Sequence, residues 1–175
     1  CIILLVFFLI VKRDVLRVKV KDLYRFALLG IIGGAGSNFM YYFTIKETNV
    51  ATAILLQYTA PLLVLLYAAF TREEELSASK IVAGIVSLFG CFLAVGGEHF
   101  SLSGISTLGL LTGAVSAFCW AFANVWLRRI LRDYSVWTVL IYSFSFASVF
   151  WFFFNSPVQI YQAHYSIETW KVFLG

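Results

Sequence analysis

Charge is what this sequence has least of. Of its 175 residues only 13% are Asp, Glu, Lys or Arg, against 61% hydrophobic, and the interiors of its long apolar runs hold none of these and no His. Ionisable groups inside a membrane are the usual mark of proton relays, so proton coupling finds no carrier in these runs. Two histidines, His99 and His164, lie far apart in segments between apolar runs and no cysteine stands near either, so a metal site is not expected. Three cysteines, Cys1, Cys91 and Cys119, sit in apolar surroundings and read as small hydrophobes, not as a disulfide framework. No glycine-rich phosphate loop is present, nor a nucleophile paired with a base, so neither an ATP-driven pump nor an enzyme is indicated. No cofactor is expected. The net charge of +4 comes from short basic segments between apolar runs, which argues against nucleic acid as a partner.

What is present is apolar length. A mean hydropathy of +0.89 exceeds what a soluble domain of this size can bury. The stretch Thr48–Phe70, TNVATAILLQYTAPLLVLLYAAF, carries no charge and is long enough for a hydrocarbon core that needs roughly 20 helical residues. Gln57, Tyr58, Thr59 and Pro61 fall near its middle. Lipid cannot satisfy the backbone groups a proline frees, so this run must face protein or a water-filled route. We take it as the element around which the rest is organised.

In chain order, eleven apolar residues, CIILLVFFLIV, form half a span before the basic segment KRDVLRVKVKDLYR. Full spans are expected over 23–45, 48–70, 80–97, 105–126 and 135–154, and ETWKVFLG opens another partial one. The fold class is thus all-α: a polytopic transmembrane bundle of five full spans and two partial ones, reading as an interior stretch of a longer membrane protein. The segments around Arg17, Glu74 and Arg129 are rich in Lys and Arg or flank them, whereas those around His99 and Gln162 have neither. By the positive-inside bias the first set is cytoplasmic, in a multi-pass protein of the plasma membrane.

Gly30 and Gly34 make a GxxxG pair, with Gly33 and Gly36 alongside, and Gly109 and Gly113 make a second. Small residues at this spacing allow close helix approach. Uncharged polar and aromatic residues repeat every four positions: Asn38 with Tyr42, Gln57 with Pro61, and Ser116 with Trp120 and Asn124, so each set shares a helix face. These seven, with Tyr58, are the candidate lining of a solute route. For Asn38 and Asn124 a purely interhelical hydrogen bond is an equal alternative; for Gln57 and Tyr58 beside Pro61 the route is favoured. Trp151–Phe154, at a span end, reads as an interfacial belt.

The stretch from Tyr41 to Gly97 resembles the second half of an EamA-like repeat of the drug/metabolite transporter superfamily. It has an aromatic span end, a short turn, an alanine-rich span reaching a proline, an acidic segment, and a glycine-spaced span closing in Gly-Gly. ISTLGLLTGAVSAFCWAFANVWLRR, from Ile105, is similar to the opening helix of a second repeat. The resemblance implies two repeats of opposite orientation, with 1–97 the later part of the first, 98–104 an outer linker and 105–175 the early part of the second. It implies a secondary transporter of small organic metabolites or drug-like solutes, with solute and lipid as partners and a homodimer left open. The alternative is a non-transporting scaffold or assembly subunit.

Overall fold

The computed structural model describes residues 18–72, 77–94 and 106–154. The partial spans at both ends, the 98–104 linker and the segments holding Arg17, Glu74, His99 and Gln162 lie outside the described residues. Everything described is helical or connecting, with no strand.

The first helix, α1 (Val20–Glu47), runs unbroken across the expected 23–45 span. Its middle, Leu29–Gly36, widens into a π-helical segment of sequence LGIIGGAG. A two-residue connection leads to α2 (Val50–Gln57), whose first turn is capped by Asn49: its Oδ1 accepts from the Thr52 N–H at 2.8 Å. After a break at Tyr58 and Thr59 the chain resumes as α3 (Ala60–Phe70) with Pro61 in its first turn. A first-turn proline loses nothing, since that N–H has no intrahelical acceptor. At the break the Leu56 carbonyl accepts from both the Thr59 N–H (3.1 Å) and the Thr59 hydroxyl (2.6 Å). Local bonds therefore replace part of what the interruption removes, as the membrane interior demands.

The remaining helices are α4 (Ala78–Ala94), α5 (Thr107–Ile130) and α6 (Val136–Phe154). Four helical stretches are long and apolar enough to cross a membrane: Val20–Glu47, Val50–Phe70, Thr107–Ile130 and Val136–Phe154. With 17 described residues, α4 reaches only about 25 Å at about 1.5 Å per residue, short of a core about 30 Å thick. Its continuation past Ala94 lies outside the described residues.

The organising helix is α1, not the Thr48–Phe70 stretch. It packs along α5 on one side and α6 on the other, while α2 and α3 pack against α5. Glycine makes this possible at two positions. A Cβ on Gly30 would collide with the Ser143 carbonyl oxygen of α6, and one on Gly33 would stand 2.7 Å from the Ala123 Cβ of α5. The second glycine pair does the same for α5, where Gly109 meets Thr48 and Gly113 meets Leu56. In membranes, where no hydrophobic drive separates helix from lipid, such backbone approach supplies the packing energy.

At the basic end, α1 is pinned to the α5–α6 connection. Phe26 is fully buried against Leu29, Ile130 and Val139, with its ring edge-on to Tyr134. The Trp126 indole N–H donates to the Arg25 carbonyl at 3.0 Å. Tyr134 donates its phenolic proton to Asp22 Oδ2 at 2.5 Å, a bond that, ahead of desolvation, raises the Tyr134 pKa above the ordinary tyrosine value.

Candidate functional site

Two different environments emerge between these helices. The first is a buried seam. Ser37 of α1 and Ser116 of α5 are wholly buried and bond reciprocally: the Ser116 hydroxyl donates to the Ser37 carbonyl (3.1 Å), and the Ser37 hydroxyl to the Ser116 carbonyl (3.3 Å). With both hydroxyl protons committed, the two oxygens can only accept further. Gln57 Nε2 supplies the donors, 3.3 Å from Ser116 Oγ and 3.4 Å from Ser37 Oγ. One carboxamide thus ties α2 to α1 and α5 at the point where α2 ends. Further along, Thr44 Oγ1 and Thr112 Oγ1 lie 3.0 Å apart.

The second environment is a groove. Three adjoining cavities share residues along one concave face formed by α1, α3, α5 and α6. A cavity of about 500 Å³ is bounded by Pro61, Val64, Trp120 and Asn124. Trp120 and Asn124 also border the next, of about 330 Å³, which the π-helical glycines Gly30, Gly33 and Gly34 wall from α1 and Ser143 from α6. Gly34 continues into a third, of about 520 Å³, with Asn38, Ser148 and Trp151. Tyr42 packs its ring against Trp151 at 6.4 Å. The lining is uncharged except at the basic end, where Arg128 borders the first cavity.

Both asparagines have a determined orientation. Asn38 Nδ2 lies 2.8 Å from the Gly34 carbonyl, and Asn124 Nδ2 lies 2.8 Å from the Trp120 carbonyl. A carbonyl only accepts, so the nitrogen must face it. Among the described residues neither side chain bonds another helix through that nitrogen, which leaves each Oδ1 turned from its own backbone.

A larger crevice, about 640 Å³, opens between α3 and α5 and is lined by Leu63, Phe118 and Phe122 among others. Its polar edge is Arg129, whose Nη2 donates to the Tyr67 hydroxyl at 2.6 Å and whose guanidinium stands over the Tyr67 ring. It lies on the opposite face of α5 from Asn124. With no other polar group converging on it, size alone does not make it the site.

The chain matches the model of the EamA-like transporter family over residues 1–96, more than half its length. The chain belongs to the EamA-like transporter family. Among curated relatives, the uncharacterized inner membrane transporter YicL of Salmonella typhimurium is 32% identical over 130 residues, covering 74% of this chain and 43% of the relative. The uncharacterized transporter YoaV of Bacillus subtilis is 22% identical over 171 residues, covering 91% and 57%. The aromatic amino acid exporter YddG of Ancylobacter novellus is 30% identical over 105 residues, covering 59% and 37%. The chain therefore spans between 37% and 57% of the length of these three relatives. No solved structure matches it significantly. Family and apolar helices together make this a multi-pass membrane protein.

Within this EamA-like chain the eight candidate residues divide. Asn38, Pro61, Trp120 and Asn124 line the groove, and Tyr42 borders it through Trp151. Gln57 and Ser116 belong to the seam, and Tyr58 is half-exposed at the helix break. Spacing by four misleads here for a geometric reason. Each step of four residues turns about 40° around a helix, so Ser116 and Asn124 are about 80° apart. Gln57 and Pro61 are separated by the break itself. Ser37, Ser143, Ser148 and the π-helical segment were not anticipated. Trp151, expected in an interfacial belt, turns to the groove, while Phe152 and Phe153 are exposed.

Proposed function

We propose that this chain is part of a secondary transporter that carries a small organic solute across the plasma membrane along the groove. The observation that carries the reading is the groove itself: uncharged polar atoms and indole planes on one concave helical face, in a member of a transporter family. Residues 1–97 form the later part of a first repeat, 98–104 the outer linker and 105–175 the early part of a second of opposite orientation. Five full spans and two partial ones then make up the segment, and α1–α5 packing is the contact between repeats. Sites at repeat interfaces are general in such transporters. Transport, with no catalytic step, is also what the names of the relatives support: YicL as a transporter and YddG as an exporter of aromatic amino acids.

In this reading Asn38, Tyr42, Pro61, Trp120 and Asn124 meet the solute, and Gln57, Tyr58 and Ser116 hold the wall. The full-length protein reconstituted in vesicles tests it. Asn124→Leu and Trp120→Ala are expected to lower solute flux at least tenfold with unchanged thermal unfolding, about the loss of one well-placed contact or more. A protein that moves no solute in any such assay, yet is needed to assemble other membrane proteins, would be a scaffold instead.

A further inference from the structure

We infer that the groove selects solutes by an N–H donor group, an ammonium or amine, held between carbonyl oxygens and indole faces. The inference rests on the transport reading and specifies its substrate class. Its basis is the direction in which the polar atoms of the groove are committed.

Each asparagine spends its nitrogen on a carbonyl four residues back at 2.8 Å, so Oδ1 is the atom that stands away from the helix. Ser148 does likewise: its hydroxyl proton goes to the Phe144 carbonyl at 2.7 Å, and only lone pairs remain. Along about two helical turns the groove therefore offers acceptors from α1, α5 and α6. The Asn nitrogens retain a second hydrogen, but tied to the backbone they are set back from the oxygens. Ser143 adds an independent observation. It is nine-tenths buried, borders the central cavity, and its Oγ has no hydrogen-bond partner. A buried hydroxyl without a partner is costly unless something else supplies one, and since Ser143 can donate or accept, it marks a place for a bound polar group while Asn38, Asn124 and Ser148 set its polarity.

Acceptors of this kind repel a carboxylate and attract a donor. Trp120 and Trp151 border the same path, and indole faces are the strongest aromatic partners for a cation. No acidic residue lines the groove, so the attraction comes from dipoles and ring faces and stays weak enough for release. Arg128 borders the cavity at the basic end, one helical turn beyond Asn124.

The test uses purified full-length protein and two probes of matched body, 2-phenylethylamine and 3-phenylpropionate, read by thermal stabilisation and by competition with flux. The amine is expected to bind at least tenfold more tightly than the acid. Asn124→Leu is expected to weaken the amine about tenfold, the value of one hydrogen bond to a charged group, and Asn124→Asp to strengthen it. Equal or tighter binding of the acid overturns the inference, as does an amine that neither stabilises nor competes. If flux still depends on Asn124 in those cases, the transport reading stands without it. If groove substitutions change no flux at all, the transport reading itself has failed.

Discussion

Arg25 and Asp133 are separated by 108 residues, and their side chains meet at 2.7 Å. The same guanidinium stands 3.6 Å from Asp22 and donates to the Arg129 carbonyl at 3.3 Å. The start of α1 is thus bound to the end of α5 and the turn into α6 at one place, under which Phe26 is buried. Arg25 is largely enclosed while Asp133 is half exposed, so the two ends of the bond are unequal.

That inequality gives the first prediction. Arg25→Met is expected to destabilise the bundle by about 1–3 kcal/mol, because it removes bonds to a charged group and to a backbone carbonyl together. Asp133→Ala is expected to cost less than about 1 kcal/mol, since its carboxylate is screened by solvent. Thermal unfolding of the two single variants and the double variant in detergent checks this; equal costs would mean that the pair acts alone.

Gln57 bears the second. Gln57→Leu removes both donors to Ser37 and Ser116 but leaves their reciprocal bonds to the backbone intact. Interhelical bonds in membranes average about 0.6 kcal/mol each, so a loss of about 1 kcal/mol is expected. Flux should be retained. Abolished flux at unchanged melting temperature would move Gln57 from the wall to the route.

The glycines of α1 give the third. Gly30→Ala and Gly33→Ala are expected to cost about 1–3 kcal/mol or to prevent folding, since each added Cβ meets another helix. Gly34→Ala is expected to be nearly neutral, because its nearest neighbours would lie at 3.8 and 3.9 Å, ordinary contact distances. Within one GxxxG pair the two glycines should thus behave differently, which parallel expression and thermal-unfolding measurements would show.

Orientation gives the fourth. In a background free of native cysteines, Lys46→Cys on intact cells should react with an impermeant thiol reagent, and Arg132→Cys only after the membrane is opened. These positions end α1 and follow α5, at opposite ends of the bundle. The reverse pattern would invert the topology drawn from the basic segments.

Hydropathy made four of the five expected full spans readable, because length and absence of charge are enough to require burial in lipid. The interruption of the second described span was readable too, since Pro61 and the polar run before it have few other places to go. Pairing across helices was not. Ser37 is one small polar residue in a glycine-rich run, and what gives it a role is Ser116, 79 residues later. Arg25 counted toward orientation, but nothing local says that its partner is Asp133. The π-helical widening of Leu29–Gly36 lies where α5 and α6 pack against four closely spaced glycines, contacts that the local sequence does not announce. Asn38 and Asn124 were found by spacing alone. Their direction, nitrogen inward and oxygen outward, came only from the carbonyls they touch.

The central claim is that solute travels past Asn124. Ala147→Cys, which borders the cavities of both Asn124 and Asn38, in the full-length, otherwise cysteine-free protein, reconstituted in vesicles and treated with a small water-borne thiol reagent, tests it most directly. The account predicts that the reagent reacts, that reaction stops flux, and that transported solute slows the reaction. A thiol that the reagent cannot reach, or one modified with flux unchanged, would contradict it.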